Sequence, residues 1–123
     1  MKHYGLTLSL RDNPQAINSY REHHRVVWPE VIAELRSAGV LGMKIFLLGR
    51  RMFMYLETTD SFEPERDFAR LNENPRYAEW DELMRTMQER VAEARPDEWW
   101  STMEEVFNLD WPRFSSADGL NVA

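Results

Sequence analysis

Residues 43–58 read MKIFLLGRRMFMYLET. Two apolar runs, 43–48 and 52–58, flank the short turn Gly49-Arg50-Arg51, the pattern of a β-hairpin. Large apolar side chains fall on both faces of it: Phe46, Phe53 and Tyr55 oppose Ile45, Met54 and Leu56. A strand with one apolar face can leave the other to water. This hairpin calls for cover on both sides. Moving toward the N-terminus, Gly39 stands where a helix-ending glycine belongs, closing a helix over 29–38 that carries Val31, Ile32 and Leu35. Pro29 disfavours helical geometry at Trp28, so a break or kink precedes it. An earlier helix starts at Asn13-Pro14, with Asn as N-cap and Pro at the first helical position, and runs to about His24 or Val27. Before that, residues 2–10 alternate. Tyr4, Leu6, Leu8 and Leu10 share one face, and His3, Gly5, Thr7 and Ser9 share the other, as in a half-buried strand.

Toward the C-terminus, a loop over 60–64 leads to a helix over 65–71. Asn74-Pro75 repeats the helix-start signal, and the stripe Tyr77, Trp80, Leu83, Met84, Met87 and Val91 predicts a helix over 75–94. After a polar loop, residues 104–109 alternate again as a last strand. The order β-α-β-β-α-β is the ferredoxin-like arrangement, an α+β fold whose antiparallel sheet carries helices on one face. A second copy of the chain is the economical cover for the other face. One domain is expected over residues 1–111, with a loose tail over 112–123.

Composition narrows the function classes. The chain has 123 residues and a formal net charge of −6, with acidic and basic residues interspersed. With no basic block, nucleic acid is not an expected partner. A neutral small molecule suits this charge better than a phosphorylated one. There is no Cys, which removes disulfides, thiol nucleophiles and thiolate metal sites. The opening residues lack a signal-peptide pattern and no apolar run is long enough to span a bilayer, so a soluble, cytoplasmic protein is expected. No Gly-rich phosphate loop or nucleophile elbow occurs.

Two groups of residues could carry chemistry. Tyr20 and His24 are four apart and share one helical face with Ile17 and Val27 nearby, so the pair points toward the sheet. They supply two proton-handling groups of different acidity, with reference pKa values of about 10 and about 6.5. The same spacing is equally that of a core tyrosine and a core histidine. His23 points about 100° away from His24 on a helix, so the two make a poor chelate and no metal site is expected. The second group is Trp28, Trp80, Trp99 and Trp100. Indole rings pack against the C–H faces of sugars and their N–H can donate to a hydroxyl, although such rings also serve core and interface packing. Asp81 follows Trp80 and could accept from hydroxyls; on a solvated helix face it would do nothing of the kind.

The run Tyr20-x-x-x-His24-x-x-x-Trp28-Pro29-Glu30 resembles the L-rhamnose mutarotase family. Gly39 before the hairpin, Trp80 in the later helix and Glu105-Val106-Phe107 near the end are in keeping with it. The resemblance implies a dimeric α+β barrel that interconverts the α- and β-anomers of a deoxy-L-sugar, L-rhamnose or L-fucose, without metal or cofactor. It implies His24 as the acid/base residue and proton donor, and Tyr20, with Trp80 and Asp81, as sugar contacts. The pattern departs from the family at Met43, where a sugar-contacting Tyr is expected, and at Asp81, where a second Trp is expected. Two other classes fit the same fold: a non-catalytic sugar-binding dimer, and, by analogy of fold alone, an oxygenase or haem-handling enzyme.

Overall fold

The structure is a computed structural model and describes residues 1–111. The tail expected over 112–123 lies outside the described residues.

Strand β1 (Lys2–Leu10) follows its alternation: Leu6, Leu8 and Leu10 are at most 1% exposed. Helix α1 (Pro14–His23) opens on Asn13, whose Oδ1 accepts from the Gln15 N–H at 2.9 Å. It ends one residue before His24, which serves as its C-cap. Trp28 is extended, with φ −56° and ψ 132°, as the following proline requires. Helix α2 (Pro29–Ala38) then stops at Gly39, whose φ of +107° is left-handed.

The hairpin is β2 (Val40–Leu48) and β3 (Arg51–Thr58), with a register irregularity between Val40 and Gly42. Its turn is shorter than expected. Leu48 pairs with Arg51, so only Gly49 and Arg50 turn, and Gly49 at φ +62° supplies the first position of a II′-type turn. Helix α3 (Pro64–Leu71) and helix α4 (Pro75–Arg85) follow. Helix α4 is capped by Asn74, which accepts from the N–H of Arg76 and of Tyr77.

Two expectations fail in the last third of the chain. The helix expected over 75–94 stops at Arg85. There the chain turns so that strand β4 (Gln88–Glu89) can pair with the free edge of β1, Leu10 opposite Gln88 and Ser9 opposite Glu89. Met87 and Val91 remain buried, but not on the helix, which is why the apolar spacing ran past its end. The strand expected over 104–109 is also absent. The closing strand is β5 (Ser101–Thr102), with Thr7 opposite Ser101 and Leu6 opposite Thr102. Beyond Met103, whose N–H donates to the Gly5 carbonyl at 2.7 Å, the alternating residues meet no strand among the described residues. Val106, Phe107 and Leu109 are exposed.

The sheet order is β2-β3-β1-β4, with β5 also on β1, and all pairs are antiparallel. Strands β4 and β5 lie in succession along one edge of β1. They form one interrupted edge strand, split by residues 90–100. Each crossover of the ferredoxin-like order is therefore made by two helices. Side chains of α1, α2 and α4 pack on Leu8, Leu10 and Met52, and Phe62 and Phe68 close the other end over Leu6, Met54 and Leu56. The opposite sheet face has no cover among the described residues. Phe46 is 56% exposed there and Phe53 40%, their rings stacked at 6.3 Å.

Candidate active site

Between the helices and the sheet is a cavity of about 580 Å³. Its walls come from the end of α1 (Tyr20, His24), from β2 (Met43, Ile45), from α4 (Tyr77, Trp80, Asp81, Met84, Arg85), from β4 (Gln88) and from Trp99 and Trp100. These last two are carried in by the 90–100 excursion. Glu98 pins that excursion, its carboxylate accepting from the backbone N–H of Arg95 at 3.1 Å and of Thr102 at 3.3 Å.

His24 is held by its own helix. Its Nδ1 lies 2.8 Å from the Tyr20 carbonyl oxygen. A carbonyl only accepts, so Nδ1 carries the hydrogen and Nε2 of the neutral ring keeps its lone pair. Burial pushes the imidazole below its ordinary pKa, against the Tyr20 bond and with a small push from His23. The Tyr20 ring stacks on His24 at 4.1 Å between centroids, and Trp80 meets His24 edge-on at 5.5 Å. Tyr20 is 5% exposed, and burial pushes its hydroxyl up to about 12, so it stays protonated.

Tyr20 is not isolated. Its oxygen accepts from Gln88 Nε2 at 3.4 Å, and Gln88 Oε1 accepts from the Trp99 indole N–H at 2.8 Å. The Arg85 guanidinium lies 4.5 Å from the centre of the Trp99 ring, and Arg85 Nε donates to Asp81 Oδ2 at 2.9 Å. Tyr77, on the same wall, is held well above its ordinary pKa by burial and then by the Asp81 carboxylate.

The four site residues read from the sequence, Tyr20, His24, Trp80 and Asp81, all line this one cavity. So do Trp99, Trp100 and Met43. Trp28 does not; it stands behind Trp80 at 5.1 Å, with the Arg76 guanidinium on its own ring at 3.7 Å. His23 turns away from the cavity and bonds the Ser19 carbonyl at 2.7 Å. Sequence reading missed Gln88, Arg85 and Tyr77. Gln88 lay inside the expected 75–94 helix, where a glutamine reads as a solvated surface residue. Its 3% exposure follows from the strand that replaces that helix.

The fold is a ferredoxin-like α+β sheet whose helix side holds an imidazole and a phenol stacked in an aromatic-walled cavity. Residues 3–109 match the model of the L-rhamnose mutarotase family, and the chain belongs to that family of carbohydrate isomerases. It is 42% identical to a UPF0734 protein of Dictyostelium discoideum over 114 residues, 89% of this chain and 91% of that one. It is 34% identical to the L-fucose mutarotase of Xanthomonas campestris pv. campestris over 104 residues, 83% of each chain. Its fold is similar to that of an L-rhamnose mutarotase from Formosa agariphila, with a TM-score of 0.63 and 21% identity over 89% of this chain and 100% of that one. Among the described residues no helix is long and apolar enough to cross a membrane.

Proposed function

We propose that this chain is a mutarotase for a deoxy-L-sugar, L-rhamnose or L-fucose, with His24 as its acid/base residue. The observation that carries this reading is His24, its Nδ1–H bonded to the Tyr20 carbonyl and its Nε2 without a partner among the described residues, stacked on the Tyr20 ring in the cavity. The volume suits a small ligand, for which sites of about 300–1,000 Å³ are usual. The Trp80 and Trp99 rings offer faces for sugar C–H groups, and Asp81 an acceptor for hydroxyls. The apolar part of the wall, Met43, Ile45 and Met84, suits the methyl group of a deoxy sugar.

Mutarotation opens a hemiacetal and recloses it on the other face. His24 Nε2 takes the anomeric O–H proton as the bond from C1 to the ring oxygen breaks. The electron pair of that bond goes to the ring oxygen, which takes a proton from a second group of the site, the Tyr20 hydroxyl, and the anomeric oxygen becomes the aldehyde carbonyl. After rotation about C1–C2 the freed hydroxyl adds back to C1 and loses its proton, and His24 returns its own to the carbonyl oxygen. His24 is thus the base of opening and the proton donor of closing. General acid–base help of this kind contributes about 10²–10⁴-fold.

The test is saturation-transfer NMR on both sugars. The parent should exchange anomers faster than buffer, and His24→Ala should lose about 10²-fold or more of that rate. A variant as fast as the parent refutes the role of His24. Sugar binding by the parent without faster exchange would make the protein a binding module. We further propose that the working form is a homodimer, each subunit covering the other's open sheet face; the exposed Phe46 and Phe53 support this.

A further inference from the structure

We infer that Gln88 is a positioning residue: anchored by the Trp99 indole, it fixes the Tyr20 hydroxyl as a hydrogen-bond donor toward the cavity. This rests on the mutarotase reading above.

The argument is one of donor and acceptor inventory. An indole N–H can only donate. The Gln88 atom 2.8 Å from Trp99 Nε1 must therefore be the carbonyl oxygen. That choice leaves the Gln88 amide N–H group facing Tyr20, at 3.4 Å. The phenol oxygen is then an acceptor on that side, and its own hydrogen must go elsewhere. No acceptor among the described residues takes it. Tyr20, Gln88 and Trp99 all line the cavity, so the hydrogen is available to an occupant. The hydrogen-bond relay is anchored at both ends. The Gln88 backbone pairs with Leu10 in the sheet, and the Trp99 ring is covered by Arg85, itself bonded to Asp81. With Gln88 and Tyr20 at 3% and 5% exposure, bulk water does not scramble the arrangement.

The result complements His24. The Tyr20 carbonyl makes His24 Nε2 an acceptor, and Gln88 makes the Tyr20 hydroxyl a donor. Ring opening asks for that pair. The anomeric O–H proton goes to His24 Nε2, and its bonding electrons form the aldehyde C=O. The C1–O bond electrons go to the ring oxygen, which takes the Tyr20 proton. Reclosure returns one proton to Tyr20 and one from His24, so the cycle balances. Were the Tyr20 hydrogen turned toward residue 88, a ring oxygen would face a lone pair.

Two variants separate this from a packing role. Gln88→Met keeps the shape and removes both bonds; kcat should fall about tenfold with KM little changed, at every pH. Gln88→Glu has an internal control. Ionised, its carboxylate accepts from Trp99 and from Tyr20 together, turns the Tyr20 hydrogen inward, and should cost about 100-fold. Protonated, it donates to Tyr20 while accepting from Trp99, as glutamine does. Titration of His24 is common to variant and parent and cancels in their ratio, while burial raises the glutamate's pKa, so the pH interval over which residue 88 takes up its proton is read directly. The ratio of Gln88→Glu to parent exchange rates should rise as pH falls through that interval. A ratio flat with pH, or a Gln88→Glu variant equal to the parent at neutral pH, overturns the inference. If Gln88→Glu fails to fold by circular dichroism, the double variant decides. In a Tyr20→Phe background Gln88→Met should cost nothing further, and an equal cost in both backgrounds overturns the inference. A parent that exchanges neither sugar overturns the mutarotase reading and this one with it; a parent that does, with a flat ratio, overturns this one alone.

Discussion

His24 shows how much one backbone hydrogen bond decides. Its Nδ1–H is committed to the carbonyl four residues back, so Nε2 is the ring nitrogen left for another partner, and only as an acceptor while the ring is neutral. Burial lowers the imidazole pKa, which means the neutral form persists below the ordinary value of about 6.5. The sign follows directly: protonation removes the lone pair that the proposed ring opening uses. We expect kcat/KM for anomer exchange to stay flat from neutral pH down to about 6.5 and to fall only as pH drops through the lowered value. Tyr20, pushed up to about 12, adds no titration in that range. An exchange-rate profile with its acid limb at or above 6.5 would show that His24 is not the titrating base. The pair was legible in the sequence because four-residue spacing puts Tyr20 and His24 on one helical face. Which nitrogen is free was not legible, since that depends on the bond to the helix's own carbonyl.

Among the elements, the α2–β2 junction has the closest approach at a glycine. Gly39 ends α2 at φ +107°, accepts from the Thr59 N–H at 2.9 Å, and leaves room for the Thr59 hydroxyl, which a β-carbon would meet at 2.6 Å. Gly39→Ala faces both the left-handed backbone and that contact. It should lose about 1–3 kcal/mol of stability. Urea unfolding of parent and variant measures this, and an unchanged midpoint would mean the junction relaxes without cost. This glycine was readable as a helix stop. The end of α4 was not. The stripe Trp80, Met84, Met87 and Val91 has helical spacing throughout, and only the unpaired edge of β1 explains why the chain leaves the helix after Arg85. Neither was β5 placed correctly. Alternation at 104–109 marked a strand, but the partner positions on β1, Leu6 and Thr7, are taken by Thr102 and Ser101.

For the molecule as a whole, the sheet face that the described residues leave open is the feature that matters. Phe46 and Phe53 stack side by side on it, and Leu48 is 86% exposed at the end of the same hairpin. A homodimer that buries this face should dissociate when charge is placed on it. Phe46→Glu with Phe53→Glu should shift the particle from twice the 14.7 kDa chain mass to the single chain mass in light scattering. A parent already monomeric, or a double variant that stays dimeric, would refute the assignment. Because the cavity is on the helix side of the sheet, the loss of a partner should unfold or weaken the subunit before it alters which atoms line the site.

Local sequence was enough for the element order as far as the start of α4, for the α+β class and for the Tyr20–His24 pair. Each of these rests on local physics: side-chain period, a proline after Asn13 or Trp28, a glycine at a left-handed position. Tertiary structure alone decided the rest. The split edge strand, the burial of Gln88 and the entry of Trp99 and Trp100 into the cavity all depend on which segment reaches the free edge of β1. That is a competition between residues 78 to 96 positions apart, and local spacing does not record it. The donor and acceptor pattern of the site is set the same way, because the Trp99 indole that orients Gln88 enters from a segment whose own period carries no strand or helix.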